Sequence, residues 1–179
     1  ELFNDSVRNN VLLGDDYDVF EYLRAVCMDK EVEAMEQGAD TIIGSEGIRL
    51  SGGQAQRIAL ARMLCHKKLV LVLDDPFSAL DRNTEEQIYK KLKDMASDNI
   101  VILISHRLYM FPKMDKVIWM DAGKANVGTH KELMLECPGY RKMYETVSVE
   151  ECRTVETENE GLAAAKVVEN SRRVVDKHE

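Results

Sequence analysis

Long hydrophobic runs are missing from this chain. The longest, Leu69–Leu73 and Ile100–Ile104, are five residues each, against the roughly 20 that a membrane-spanning helix needs. Positive charge is also in deficit, with 24 Lys and Arg against 32 Asp and Glu and a net charge of −8 over 179 residues. A chain of that balance lacks the basic face that captures phosphate backbones, so nucleic acid is not an expected partner. The four cysteines (Cys27, Cys65, Cys137, Cys152) stand far apart with no C-x-x-C pair. That spacing argues against a zinc site and for reduced, cytosolic thiols. Residue 1 is Glu, and Glu1–Asp5 has none of the charged, apolar and cleavage regions of a signal peptide. The sequence is expected to start within a longer chain. What is present is an apolar content of 45%, enough for a packed core rather than wholesale disorder.

The apolar pattern divides the chain. Residues 15–37 read as helical with polar breaks: Asp15 or Asp16 can cap, and Val19, Phe20, Leu23, Val26 and Cys27 recur at helical spacing. Val32, Met35 and Glu36 predict a second short helix ended by Gly38, and Thr41–Arg49 reads as irregular. A helix is predicted from Gly52 to His66. Leu69–Leu73 does not alternate, which predicts a parallel strand covered on both faces. A helix over Arg82–Ala96 and a second solid strand, Ile100–Ile104, follow. Lys116–Met120 predicts a third strand that turns at Asp121–Lys124 into a hairpin partner ending near Gly128. Helices at Lys131–Glu136 and Tyr140–Thr146 close the compact part. Strands alternating with helices imply an α/β layer fold. Residues 147–179 are acidic and lack aromatics, which reads as a solvated, flexible tail with at most a weak helix over Leu162–Val168.

Three local patterns carry chemistry. Ser51 stands at the N-cap of the helix that starts at Gly52, with Gln54 at the N3 position of a capping box. Gly52 and Gly53 bare the backbone N–H groups of the first turn, where a phosphate can be received. Taken alone, the pattern fits an ordinary capped helix equally well. Asp74 and Asp75 sit at the carboxyl end of an apolar strand, where open α/β sheets bind ligands. One carboxylate can hold Mg²⁺ through water, and the other can orient or deprotonate an attacking water; Asp-Pro turn chemistry is the alternative. His106 follows the strand Ile100–Ile104, placed to hydrogen-bond a terminal phosphate at that sheet edge. His66, His130 and His178 read as surface or helix-end residues.

In this order, the three patterns resemble the nucleotide-binding domain of ABC transporters. Leu50-Ser51-Gly52-Gly53-Gln54-Ala55-Gln56-Arg57-Ile58-Ala59-Leu60-Ala61-Arg62 is similar to the family signature. Leu69–Asp75 resembles its Walker B strand, Ser78-Ala79-Leu80-Asp81 its D-loop, and His106 its switch histidine. Leu2–Val11 is similar to the segment after the Q-loop in exporter-type members, and Ile43-Gly44-Ser45-Glu46-Gly47 to their cross-domain loop. The resemblance covers Leu2–Thr146. It implies the C-terminal two-thirds of a P-loop NTPase (RecA-like) domain: parallel core strands over about 67–146, with the ABC helical subdomain over about 15–66. It further implies ATP and Mg²⁺ as cofactors, with Ser51, Gly52, Gly53, Gln54 and Asp81 contacting nucleotide and Asp74 holding Mg²⁺ through water. Asp75 and His106 are the implied catalytic residues. The implied partners are a second nucleotide-binding domain and an exporter's membrane domain, on the cytoplasmic side of a membrane, expected to be bacterial.

Two departures qualify that reading. The phosphate-cradling pattern G-x-x-x-x-G-K-[ST] does not occur in these residues: the one Gly-Lys pair, Gly123-Lys124, precedes Ala125 and has Ile118 where the first glycine belongs. The expectation is a chain that needs a complementing piece and is inactive alone. The second departure is Asp75, where the family usually has Glu; this resembles the weakly hydrolytic half of heterodimeric exporters. Two further readings are carried. One is a truncated, non-catalytic module that offers its signature to a partner. The other is a soluble ABC ATPase acting on DNA or ribosomes, disfavoured by the acidic balance and the exporter-like loop.

Overall fold

The computed structural model describes residues 2–45, 47–66, 68–95 and 99–147. It divides into one compact unit up to Ser105 and a second from His106 onward. The fold is α/β with a parallel strand pair. Among the described residues, no helix is long and apolar enough to cross a membrane.

The first unit opens on β1 (Asp5–Ser6) and α1 (Val7–Leu12), neither of which the sequence pattern announced. Asn10 accounts for both. Fully buried, it donates from Nδ2 to the carbonyls of Phe3, Asp5 and Ser6 and accepts Phe3 N–H at Oδ1. One amide thus satisfies the polar groups of a tight strand-to-helix corner. The irregular reading of Thr41–Arg49 missed β2 (Ile42–Ile43), which pairs antiparallel with β1. Helix α2 (Val19–Ala25) is capped by Asp18, whose carboxylate accepts Phe20 N–H at 3.0 Å, not by Asp15 or Asp16. The N-cap must directly precede the first helical residue, and residues 15–18 are non-helical. The second short helix is α3 (Asp29–Glu33), which stops before Met35; Gly38 (φ 54°) begins a 3₁₀ turn at Gly38–Asp40.

Helix α4 (Gly52–Cys65) packs on α1 and α2. Its buried Ile58, Ala61 and Leu64 join Val7, Val11, Val19, Leu23 and Val26 in the core. Arg62 secures that contact: Nε donates to Asn10 O at 2.6 Å, Nη2 donates to Asn10 Oδ1 at 2.7 Å, and the guanidinium stacks on Phe3. The chain then forms β3 (Val70–Asp74), α5 (Arg82–Met95) and β4 (Ile100–Ile104). Strands β3 and β4 pair in parallel register from Val70 opposite Ile100 to Asp74 opposite Ile104. The expected burial of both strand faces does not hold within the described residues. Leu71 and Leu73 are buried, whereas Val70 and Val72 are 48% and 61% exposed. Successive side chains point to opposite faces, and only the face of Leu71 and Leu73 is covered here.

In the second unit, a 3₁₀ turn (Leu108–Lys113) leads into the hairpin β5 (Val117–Asp121) and β6 (Lys124–Gly128). The two-residue loop, Ala122 and Gly123, has φ 45° and 76°. Both central residues are left-handed, as a hairpin turn matched to strand twist requires. Helix α6 (His130–Glu136) carries a full capping box between Thr129 and Glu132, and residues 138–147 are helical. The core of this unit is Val117, Leu133 and Tyr140, with Phe111 and Trp119 packed against it. Residues 148–179, including the expected Leu162–Val168 helix and His178, lie outside the described residues.

Candidate functional site

The N-terminus of α4 is built as its sequence prescribes. Ser51 is extended (φ −66°, ψ 161°), its hydroxyl accepts Gln54 N–H at 3.2 Å, and Gln54 Oε1 accepts Ser51 N–H at 2.9 Å. The first backbone bond of the helix, Ala55 N–H to Ser51 O at 3.0 Å, leaves the N–H groups of Gly52 and Gly53 ahead of the helical ladder. In a helix of fourteen residues, these donors face the positive end of the macrodipole. An anion can therefore be met by two backbone N–H groups and a hydroxyl.

That rim is one wall of an open cavity of about 460 Å³, lined by Glu31, Ser51, Gly52, Gly53, Arg57, Ala79, Leu80, Asp81 and Thr84. The other wall is the turn after β3. Asp81 starts α5, with Oδ1 accepting Thr84 N–H at 3.0 Å, and hydrogen bonds from Thr84 hold its carboxyl below the ordinary value. Glu31, from α3, receives Gln54 Nε2 at 2.8 Å and Arg57 Nη1 at 2.7 Å. Burial pushes the Glu31 carboxyl up, but these two donors outweigh it and keep it below its usual range. Arg57 also donates to Cys27 O at 2.6 Å. Its guanidinium is thereby held in a pair with Glu31 at the cavity lining.

Asp74 is exposed at the end of β3, and Asp75 is half-buried with φ 44°. A left-handed backbone is uncommon outside glycine and persists only where the surroundings enforce it. Here Asp75 N–H donates to Ile104 O at 2.8 Å, while Asp75 O accepts Gln56 Nε2 at 2.9 Å and Ser78 N–H at 3.3 Å. Among the described residues, no group of three or more His, Cys, Asp or Glu could hold a metal ion. A magnesium ion at Asp74 would take its other ligands from water and phosphate, which suits that ion.

The structure thus brings Ser51, Gly52, Gly53 and Asp81 to one cavity. Gln54 serves that cavity from behind, through its bonds to Ser51 and Glu31. His106 is exposed at the start of the second unit. Sequence reasoning did not find Gln56 or the Arg57–Glu31 pair. The pair spans 26 residues and leaves no local pattern, and Gln56 lies inside the quoted signature without any spacing that marks its role. His130 is more than a helix-end residue: its Nδ1 lies 2.7 Å from the hydroxyl of fully buried Tyr140.

The family described as ABC transporter matches residues 3–78. The chain is 38% identical over 149 residues to an ATP-dependent lipid A-core flippase of Alcanivorax borkumensis, covering 80% of this chain and 26% of that protein. It is also 38% identical over 151 residues to ABC transporter ATM1 of Toxoplasma gondii, covering 81% of this chain and 13% of that protein. A solved structure of a bacterial Atm1-family ABC exporter with ATP bound superposes with a TM-score of 0.75 at 32% identity, over 82% of this chain and 27% of that one. The chain therefore spans about a quarter or less of the length of these relatives.

Proposed function

This chain belongs to the ABC transporter family, as part of an exporter-type nucleotide-binding domain, and we propose that it serves as an ATP-hydrolysing subunit of a complete exporter. The observation that carries this reading is one cavity in which the donors of Ser51, Gly52 and Gly53 form one wall and Asp81 lies on the other. Residues 15–66 act as the helical subdomain that meets the membrane domain, and residues 67–146 as core. The subunit works on the cytoplasmic side of a membrane, paired with a second nucleotide-binding domain. Because the phosphate cradle is not among these residues, the chain alone does not hold ATP.

When bound, ATP would supply the phosphoanhydride bond and Mg²⁺ would supply charge neutralisation at its phosphates. The residues of this chain do the rest from two sides. Ser51 Oγ and the N–H groups of Gly52 and Gly53 hold phosphate oxygens of nucleotide seated on the partner domain, with Gln54 fixing Ser51 in place. At the chain's own site, Asp74 would hold the metal through water. Asp75 would accept a hydrogen bond from the attacking water and orient it; the role the family resemblance implies for His106, in the second unit, is donation to a terminal phosphate.

Asp75 makes the two sites unequal and points to a heterodimer. Aspartate is one methylene shorter than glutamate, so its carboxylate falls roughly 1 Å short of a water placed for Glu, and such misplacement costs on the order of 10²-fold in rate. In the assembled transporter, Asp75→Glu is expected to raise hydrolysis at this subunit's own site about tenfold or more, measured with the partner's site inactivated. Turnover that stays flat or falls contradicts the assignment.

A further inference from the structure

The side-chain amide of Gln56, inside the first turns of α4, makes three hydrogen bonds to one short segment. Nε2 donates to Asp75 O at 2.9 Å and to Ser78 Oγ at 3.1 Å, and Oε1 accepts Ala79 N–H at 3.2 Å. The amide orientation is fixed by its partners, since reversing it would set a carbonyl oxygen against the carbonyl of Asp75. A second, independent contact joins the same two elements. A Cβ placed on Gly53 would lie 2.7 Å from Ala79 O, so the helix can approach the turn this closely only with glycine there. The turn it grips contains the left-handed Asp75, whose N–H is held from the other side by Ile104 O at 2.8 Å.

We propose that Gln56 is a positioning residue that ties residues 75–79 to the start of α4, so that the Asp75 carboxylate and the Ser51–Gly53 donors move as one body. Gln56 touches none of the anion-binding atoms; it acts through the backbone of Asp75 and Ala79. Because Asp75 belongs to the chain's own site and Ser51–Gly53 face nucleotide on the partner, the clamp links the two sites of a dimer within one polypeptide. This use of the clamp rests on the proposed ATPase reading, whereas the clamp itself does not.

Two variants separate the parts. Gln56→Met keeps the length of the side chain and loses all three hydrogen bonds; Gln56→Glu keeps the acceptor for Ala79 N–H and loses the donor to Asp75 and Ser78. Gln56 Oε1 accepts the Ala79 N–H at 3.2 Å, so removing that acceptor is expected to open the amide to exchange. In the 179-residue chain, hydrogen exchange at Ala79 is expected to accelerate about fivefold or more in Gln56→Met and by less in Gln56→Glu, which keeps the acceptor for Ala79 N–H but sets its second oxygen against Asp75 O. Unchanged exchange at Ala79 in Gln56→Met overturns the clamp, as does acceleration spread evenly through α4 and β3, which would make Gln56 a packing residue. In the assembled transporter with the partner's site inactivated, both variants are expected to lower kcat about tenfold or more with KM for ATP within about twofold of wild type. A normal kcat in both, or a loss confined to KM, overturns the positioning role. A wild-type assembly that hydrolyses no ATP fails the ATPase reading alone, because the exchange experiment needs no hydrolysis.

Discussion

The two glycines of the α4 N-terminus look equivalent in sequence, and their surroundings divide them. A methyl group on Gly52 would rest 3.7 Å from the Ala79 side chain, an ordinary contact, whereas one on Gly53 would be driven to 2.7 Å from Ala79 O. Overpacking against backbone costs about 1–3 kcal/mol, partly offset by the better helix propensity of alanine, about 1 kcal/mol. Gly53→Ala is therefore expected to lower the chemical denaturation midpoint while Gly52→Ala leaves it unchanged or slightly raised. Equal effects of the two would contradict the close approach on which the clamp depends. The capping box of Ser51 and Gln54, by contrast, is a matter of three-residue spacing and was fully legible in the sequence.

At the scale of elements, the hairpin and its following helix make a self-contained test. His130 opens α6, and burial pulls its imidazole below the usual histidine value. Its Nδ1 faces the Tyr140 hydroxyl, which burial pushes up to about 12. A histidine held neutral in the fold gives a stability contribution that is complete above about pH 6.5. It is lost as the pH falls below that value, because the unfolded state then binds the extra proton. Trp119 is the one tryptophan in the chain and packs edge-on to Tyr140 at 5.9 Å between ring centroids. Its fluorescence is expected to change on acidification from below pH 6.5, and His130→Gln should flatten that change. Matching pH profiles in the two proteins would contradict the buried neutral imidazole. The hairpin itself was readable from its turn, because Asp121-Ala122-Gly123-Lys124 directly follows the apolar run Val117–Met120. The tyrosine–histidine contact was not, since it depends on how the helix over 138–147 folds back on α6.

Across the whole molecule, legibility followed the range of the interactions. Strand β4 falls on its expected residues and α4 within one residue of its predicted end, because solid apolar runs and caps are local signals. Strands β1 and β2 escaped notice: each has two residues, and their pairing is organised by a buried asparagine that composition alone does not reveal. The apolar runs of β3 and β4 imply cover on both faces, yet Val70, Val72, Ile100 and Ile104 are exposed among the described residues. A sequence records the environment of the finished assembly, and the relatives of this chain are several times longer than it. In the proposed function the nucleotide site is composite: the donors at Ser51–Gly53 would meet nucleotide seated on a partner domain, and the carboxylates at Asp74 and Asp75 would serve this chain's own site. Hydrogen exchange at the Gly52 and Gly53 amides, measured with Mg-ATP in the presence and absence of a partner domain that carries the glycine-lysine loop, tests this most directly. Protection at both glycines is expected only when ATP and the partner are present together. Protection by ATP in the chain alone, or none in the complete mixture, contradicts a rim that completes its partner's site.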